Sequence, residues 1–265
     1  MKMRKFGAIL LVIFCLAILV ISYSSWKDKI GTAAEKPLET TKAAEAKQET
    51  DVPEKQVTSL TKKGLESLAA GMNEETRLIL LDKFDNGERV QLLIVGSNAT
   101  DSGEPGYAEL LTKKLDQAYK GFIETTILSF NGTSEGFMNE ETDLSVGYDI
   151  VLMEPFTLKN NGVVQIEAER EHVLEFLSQV RSSESSAALI LHPPQPIYGA
   201  QFYIEQVKAL EYFAAQQNFG YINHWPAWPA TTDAALKDFL TDDGLPNTEG
   251  AEIWAQELSN YFITE

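Results

Sequence analysis

The chain has 265 residues, enough for one domain with appendages or for two small domains. Its 39 acidic residues outnumber its 22 lysines and arginines, and the net charge of −17 argues against nucleic acid as a partner, because phosphate contacts need clustered basic side chains. The single cysteine excludes an internal disulfide framework and a cysteine-based zinc site. Three widely spaced histidines offer little for a metal cluster, and no phosphate loop or dinucleotide fingerprint is present, so no metal and no cofactor are expected.

The N-terminus has the pattern of a membrane-spanning signal anchor. Residues 6–23 carry no charge, and the run from Phe6 to Ile21 is almost entirely apolar. A helix of about 20 residues, at about 1.5 Å per residue, spans the roughly 30 Å hydrocarbon layer of a bilayer. Because the preceding residues 1–5 are basic, the positive-inside rule predicts a cytoplasmic tail, a single-pass helix in the cell membrane and an extracytoplasmic C-terminal part.

Two other interpretations of this segment fit less well. A cleaved signal peptide has a shorter apolar region and a small-x-small cleavage site, which Ser22-Tyr23-Ser24 matches poorly. A lipoprotein signal would use Cys15, but Phe14 stands where a small residue is required. The uncleaved anchor is therefore the preferred interpretation.

Composition separates a tether from a folded domain. Residues 24–57 are rich in Ala, Glu, Lys and Thr and contain almost no large apolar residues. Such a segment cannot bury a core, so it is predicted to be a disordered tether. Residues 58–265 are predicted to form the folded domain.

Within the domain, short apolar segments rich in β-formers alternate with segments of helical periodicity. The predicted strands are Val90–Val95, Phe122–Phe130, Ile150–Met153, Ala187–Leu191 and Tyr221–Ile222. The predicted helices are Glu74–Asn86 with Asn73 as its N-cap, Pro105–Tyr119, Val164–Val180, Phe202–Ala215 and Thr248–Phe262. Strands buried on both faces and joined through helices indicate an α/β fold, a three-layer α/β/α sandwich around a mostly parallel sheet. Ligands bind at the carboxyl ends of the strands in such sheets.

The order of the segments at the strand ends resembles the GDSL/SGNH hydrolases. That family has a first strand ending in Gly-Asp-Ser, a Gly after the next strand, and Asp-x-x-His-Pro-Asn before the C-terminal helix. This chain is similar to those three blocks at residues 92–100 with Gly106 and Tyr107, at residues 131–134 and at residues 242–250. The family's further Gly-x-Asn-Asp block is not recognisable; residues 154–157 stand near its place, and Asn160 and Asn161 follow a little later. The resemblance implies a flavodoxin-like sandwich and hydrolysis of an acyl ester without a cofactor. Together with the external location, it suggests O-acyl groups of an envelope polysaccharide, or a small acyl ester, as the substrate.

The chain departs from the family at its catalytic positions. The family's Asp and nucleophilic Ser fall on Ser97 and Asn98, and its Asp and His of the last block fall on Asp242 and Leu245. Only Gly132, in the oxyanion-hole block, carries over unchanged. A serine hydroxyl needs a base to accept its proton, so these departures remove both the usual nucleophile and its usual base.

A shifted catalytic set remains conceivable from the sequence. Ser97 would be the nucleophile if the turn is displaced by one residue, with His224, His192, Asp242 or Asp243 as the base. The predicted catalytic set is Ser97, His224 and Asp242, and a Glu154–Asp242 acid/base pair is an alternative. The predicted site-lining residues are Gly96, Asn98, Gly132, Glu154, Asn160, Asn161, His192, Asp243, Leu245 and Asn247.

Two functions stay open at this stage. One is a membrane-tethered, extracytoplasmic esterase of the SGNH type. The other is a catalytically degenerate member, a pseudoenzyme that binds an envelope glycan or a protein through the same cleft. Tyr198, Trp225 and Trp228 lie near strand ends, where aromatic rings either stack on sugars or anchor loops.

Overall fold

The computed structural model describes residues 60–264, which contain a five-stranded, fully parallel sheet with the strand order β2-β1-β3-β4-β5. The strands are β1 Val90–Ser97, β2 Ile123–Phe130, β3 Ile150–Met153, β4 Ala188–Leu191 and β5 Gly220–Tyr221. All five agree with the predicted strands to within two residues at each end. Each crossover between parallel strands contains a helix, as the alternating pattern predicts.

Eight α-helices lie within the described residues: α1 Lys62–Leu68, α2 Glu74–Asn86, α3 Tyr107–Tyr119, α4 Ser134–Met138, α5 Thr157–Asn160, α6 Ile166–Arg181, α7 Phe202–Gln217 and α8 Thr248–Phe262. Short 3₁₀ turns occupy Ala69–Gly71, Trp225–Ala227 and Ala234–Phe239. Helices α1, α4 and α5 were not predicted, because four to seven residues are too few to show a helical period.

The helices cover both faces of the sheet, which confirms the three-layer sandwich. Side chains of β1 alternate between the two cores: Leu92 and Ile94 pack with α1, α2, α3 and α8, whereas Leu93 and Val95 pack with α4, α6 and α7. Because successive side chains of a strand point to opposite faces, a strand between two helical layers must be apolar at every position. This explains the apolar run Leu92–Val95 of β1.

Helix ends follow the capping chemistry that the sequence indicates. The Asn73 side chain accepts a hydrogen bond from the Thr76 amide at 3.1 Å and begins α2. Gly87, with a φ of 72°, ends α2 in the left-handed conformation that favours glycine.

No helix within residues 60–264 is long and apolar enough to cross a bilayer. The predicted cytoplasmic tail, membrane helix and tether, residues 1–57, lie outside the described residues.

Candidate active site

A cavity of about 610 Å³ opens at the carboxyl edge of the sheet. Its walls are formed by Ser97 at the end of β1, by residues 158–159 of α5, by Gln195 and its neighbours after β4, and by the loop 240–245 that precedes α8. The cavity therefore lies where ligands bind in open parallel sheets.

Ser97, in the cavity wall, contacts the carboxyl group of Glu154, which is buried behind it and does not itself line the cavity. Its side chain is buried, and its amide donates a hydrogen bond to Glu154 Oε2 at 2.8 Å. Burial raises the pKa of Glu154 to about 7, although hydrogen bonds from Ser97 act in the opposite direction. A carboxylate with a pKa near neutrality can take up a proton and return it at physiological pH.

His224 does not join this pair. It is fully buried, its Nε2 lies 2.8 Å from the Pro193 carbonyl oxygen, and its Nδ1 accepts a hydrogen bond from Trp228 Nε1 at 2.9 Å. These partners assign the proton to Nε2, which leaves neither nitrogen free. Burial holds the pKa of His224 well below its usual value. The predicted role of His224 as the base is therefore inconsistent with its surroundings.

His192 is also part of the core. It is fully buried, its ring makes edge contacts with Tyr107 and Trp254, and burial lowers its pKa to about 3. Neither histidine lines the cavity. His192, His224, Trp228 and Trp254, here called the His–Trp cluster, pack on one another; the His224 and Trp254 rings stack with centroids 4.5 Å apart.

The loop before α8 places Asp242, Asp243 and Leu245 in the cavity wall, as the sequence predicts. Both carboxylates are exposed. The loop is a tight hairpin, because the Thr241 amide donates to the Leu245 carbonyl at 2.7 Å and the Gly244 amide donates to the Thr241 carbonyl at 2.9 Å. Asp242 therefore stands where the resemblance places the triad carboxylate, but without an imidazole to orient.

Three predicted site-lining residues have structural roles. Asn247 caps α8 by accepting from the Gly250 amide at 3.0 Å, and its amide group donates to the Asp238 carbonyl. Gly96 is buried so tightly that an added Cβ would lie 2.6 Å from Thr100 Oγ1. Asn161 is exposed at the end of α5 and does not line the cavity.

The predicted oxyanion group Gly132 is already engaged. Its amide donates to the Phe130 carbonyl at 3.1 Å, and any side chain at this position would overlap the Phe130 ring. Gly132 does not line the cavity, so its predicted role is not supported by the geometry. Asn98 follows Ser97 in the turn and is half-buried; its Oδ1 has no hydrogen-bond partner within the described part of the chain.

Asn160 belongs to a buried polar network beside the site rather than to the cavity wall. Its Oδ1 accepts from the Ser134 amide at 2.9 Å, and its Nδ2 donates to Glu169 Oε2 at 2.8 Å. Glu169 also accepts from the Thr157 hydroxyl at 2.9 Å. The network thus fixes both ends of α5, whose residues Leu158 and Lys159 line the cavity.

Sequence reasoning missed four polar residues of the cavity wall, the exposed Thr241 and three others. Gln195 is buried, Lys159 is half-buried, and Lys237 places its Nζ 4.3 Å from the centroid of the Tyr198 ring. None of them belongs to a motif. Gln195, four residues after β4, could have been found only by extending the search beyond the first residues after each strand.

Comparisons with known proteins identify the fold. No protein-family model and no curated protein matches the sequence. Among solved structures, a GDSL-like lipase from Parabacteroides merdae matches with a TM-score of 0.55 and 13% identity over 65% of this chain and 95% of the other. An acetylxylan esterase from Geobacillus stearothermophilus matches with a TM-score of 0.52 and 16% identity over 65% and 94%. The domain has a GDSL/SGNH hydrolase-like fold. This SGNH-like fold confirms the resemblance drawn from the order of the strand-end segments.

Proposed function

We propose that the protein is an ester hydrolase that removes O-acyl groups from an envelope polysaccharide or a similar ester, with Ser97 as nucleophile and Glu154 as proton acceptor. The observation that carries this proposal is the position of Ser97 in the cavity wall and against the buried Glu154 carboxyl group. The SGNH-like fold supports it, because similar structures include an acetylxylan esterase and a carbohydrate esterase from Talaromyces cellulolyticus.

In this mechanism Ser97 Oγ attacks the ester carbonyl carbon while the Ser97 hydroxyl proton passes to Glu154. The tetrahedral intermediate collapses, the C–O bond to the alcohol breaks, and Glu154 returns the proton to the leaving alkoxide. Water then attacks the acyl-serine and gives a proton to Glu154. The acyl C–Oγ bond breaks, Glu154 returns that proton to Ser97 Oγ, and the carboxylic acid is released. The ammonium groups of Lys159 and Lys237, which line the cavity, supply positive charge for the oxyanion.

The decisive test is covalent labelling of the full-length protein with a fluorescent fluorophosphonate. We expect labelling that is lost in Ser97→Ala and slowed roughly 10²-fold or more in Glu154→Gln, since general-base help contributes about 10²–10⁴. Ser178→Ala is the matched control, because Ser178 lies exposed on α6, away from the cavity. Equal labelling of Ser97→Ala and wild type would reject Ser97 as the nucleophile.

The burial of both histidines favours a second candidate function, that of a module that binds an envelope glycan or a protein without turnover. Neither imidazole reaches the cavity, and the Gly132 amide is engaged elsewhere. A protein that gives a folded near-ultraviolet circular dichroism spectrum, no fluorophosphonate labelling and saturable ligand binding would support this function over hydrolysis.

We also propose that the domain is held outside the cell membrane by the N-terminal segment. The support is the uncharged run of residues 6–23 behind a basic tail. A C-terminal epitope should fractionate with membranes and be removed by protease added to intact cells or spheroplasts. An epitope that stays protected until the membrane is permeabilised would reverse this orientation.

A further inference from the structure

We infer that the wall of the cavity formed by Gln195 and Asp242 is a sugar subsite, in which these side chains accept hydrogen bonds from the hydroxyl groups of a pyranose ring. The inference deepens the proposed function, since this subsite would hold the sugar that carries the ester. The inference also applies to the second candidate function, a module that binds a glycan, because sugar recognition needs no turnover.

Gln195 presents a buried acceptor with nothing to accept from. The residue is 2% exposed and lines the cavity. Its backbone carbonyl accepts from the Tyr203 hydroxyl at 3.0 Å, and its side-chain Nε2 donates to the Gly244 carbonyl at 2.9 Å, which orients the side-chain amide. Its Oε1 has no partner among residues 60–264. Since an unpaired buried acceptor is costly, this atom is suited to a donor that enters the cavity.

Asp242 adds an anionic acceptor to the same wall. The hydrogen bond from Gln195 to Gly244 ties the hairpin loop directly to Gln195. Asp242 lines the cavity, and its carboxylate forms no ion pair or side-chain hydrogen bond with any other described residue. A carboxylate accepts charge-assisted hydrogen bonds, which are stronger than those between neutral groups. Two acceptors, one on Gln195 and one on the loop to which Gln195 is hydrogen-bonded, therefore lie in one wall and suit a ligand that brings donors.

The charge of the wall selects hydroxyl groups over an ammonium group. Lys159 and Lys237 line the same cavity as Asp242 and Asp243, so the four charges balance. A cavity whose charges balance, and whose lining also includes Leu158, Ile197, Leu240 and Leu245, does not favour a polycation or a polyanion. The Tyr198 ring, held by Lys237, adds an aromatic wall. Polar acceptors beside an aromatic ring suit a pyranose, which has hydroxyl groups at its edge and C–H groups on its faces.

The test is saturation-transfer NMR titration of the full-length Ser97→Ala protein, in a detergent without a sugar head group, with xylotetraose and with tetra-N-acetylchitotetraose. We expect saturable binding of at least one of these neutral probes. Asp242→Ala and Gln195→Leu should each weaken it at least fivefold. Asp238→Ala is the matched control, because Asp238 is exposed on the neighbouring 3₁₀ turn and does not line the cavity.

The outcomes separate this inference from the proposed function. Sugar binding by Ser97→Ala, together with no fluorophosphonate labelling of the wild-type protein, would support the subsite and reject hydrolysis. No saturable binding of either probe up to 20 mM, or binding that neither wall variant weakens, would overturn the subsite whether or not Ser97 is labelled. Binding of the deacetylated, amine-bearing chitotetraose at least tenfold tighter than both neutral probes would replace hydroxyl recognition by ammonium recognition, and would overturn it as well.

Discussion

Two neighbouring regions at the carboxyl edge of the sheet contain side chains that can act as acids or bases, aspartates in one region and histidines in the other. In the cavity wall, Asp242 and Asp243 are exposed. In the His–Trp cluster, His192 and His224 are fully buried among aromatic rings, and burial depresses the pKa of both. The cavity wall leaves the Asp242 and Asp243 carboxylates exposed to a ligand, whereas the cluster keeps its imidazoles neutral and packed.

The difference shows that proximity to a strand end does not by itself make a histidine catalytic. A general base must reach the proton that it accepts, and His224 has both nitrogens engaged. Glu154, although equally buried, lies against Ser97 and keeps a pKa near neutrality. Glu154 is therefore the buried titratable group that contacts the cavity wall, through Ser97.

His224→Ala has the largest expected effect and tests whether the His–Trp cluster is structural. We expect it to lower the free energy of unfolding by about 3–4 kcal/mol, because it removes the stacking on Trp254 and leaves Trp228 Nε1 and the Pro193 carbonyl without their partner. Urea unfolding followed by tryptophan fluorescence measures this change. A loss below 1 kcal/mol would mean that the cluster is not the structural unit described.

Glu154→Gln tests the buried carboxyl group that contacts Ser97. The pKa of Glu154 is raised from 4.5 to about 7, so the native state binds this proton more tightly than the unfolded state. The resulting stabilisation, about 3 kcal/mol, is present below pH 4.5 and is lost as the pH rises through 7. Between pH 5 and pH 8 the free energy of unfolding of the wild type should therefore fall relative to that of the variant.

Because both proteins retain His192 and His224, the opposite contribution of the histidines, which is lost at acidic pH, cancels in this comparison. A difference that stays constant between pH 5 and pH 8 would mean that Glu154 titrates near its ordinary value.

The same titration predicts the pH dependence of turnover. If Glu154 accepts the proton of Ser97, kcat/KM for a small acyl ester should rise with pH and level off above about pH 7. A rate that instead falls over this range would exclude the Glu154 carboxylate as the base.

Gly96→Ala tests the packing behind Ser97. The added methyl group would lie 2.6 Å from Thr100 Oγ1 and 3.1 Å from Glu154 Cβ. We expect a loss of about 1–3 kcal/mol in the free energy of unfolding, as in other overpacked sites. Equal stability of Gly96→Ala and wild type would show that Thr100 and Glu154 can shift to accommodate the methyl group.

The smallest expected effect is that of a substitution in the cavity wall. Asp242→Ala should change the free energy of unfolding by no more than about 0.5 kcal/mol, because the side chain is exposed and makes no polar contact with the described residues. Urea unfolding under the conditions used for His224→Ala allows the changes in the free energy of unfolding of the two variants to be compared directly. A loss above 2 kcal/mol would assign Asp242 a structural role instead of a ligand-binding one.

The sequence predicts most of the fold because the fold depends on local patterns. The apolar runs of β1 and β3 and the periodicity of α8 are dictated by burial, and the Asn73 cap and the Gly87 stop lie within a few residues of what they satisfy. The sequence also predicts that Ser97, Asp242, Asp243 and Leu245 lie in one cavity wall, because parallel strands bring their carboxyl ends together.

Tertiary structure decided which of these residues face a ligand. Nothing in the sequence distinguishes His224, whose nitrogens are bonded to Pro193 and Trp228, from a histidine that faces the cavity. Nothing in it shows that Gln195 lies opposite the hairpin loop with an unpaired oxygen. The physical reason is range: periodicity and capping act over a few residues, whereas burial, tautomer and the partners of a polar atom are set by segments that are distant in the chain and meet only in the folded domain.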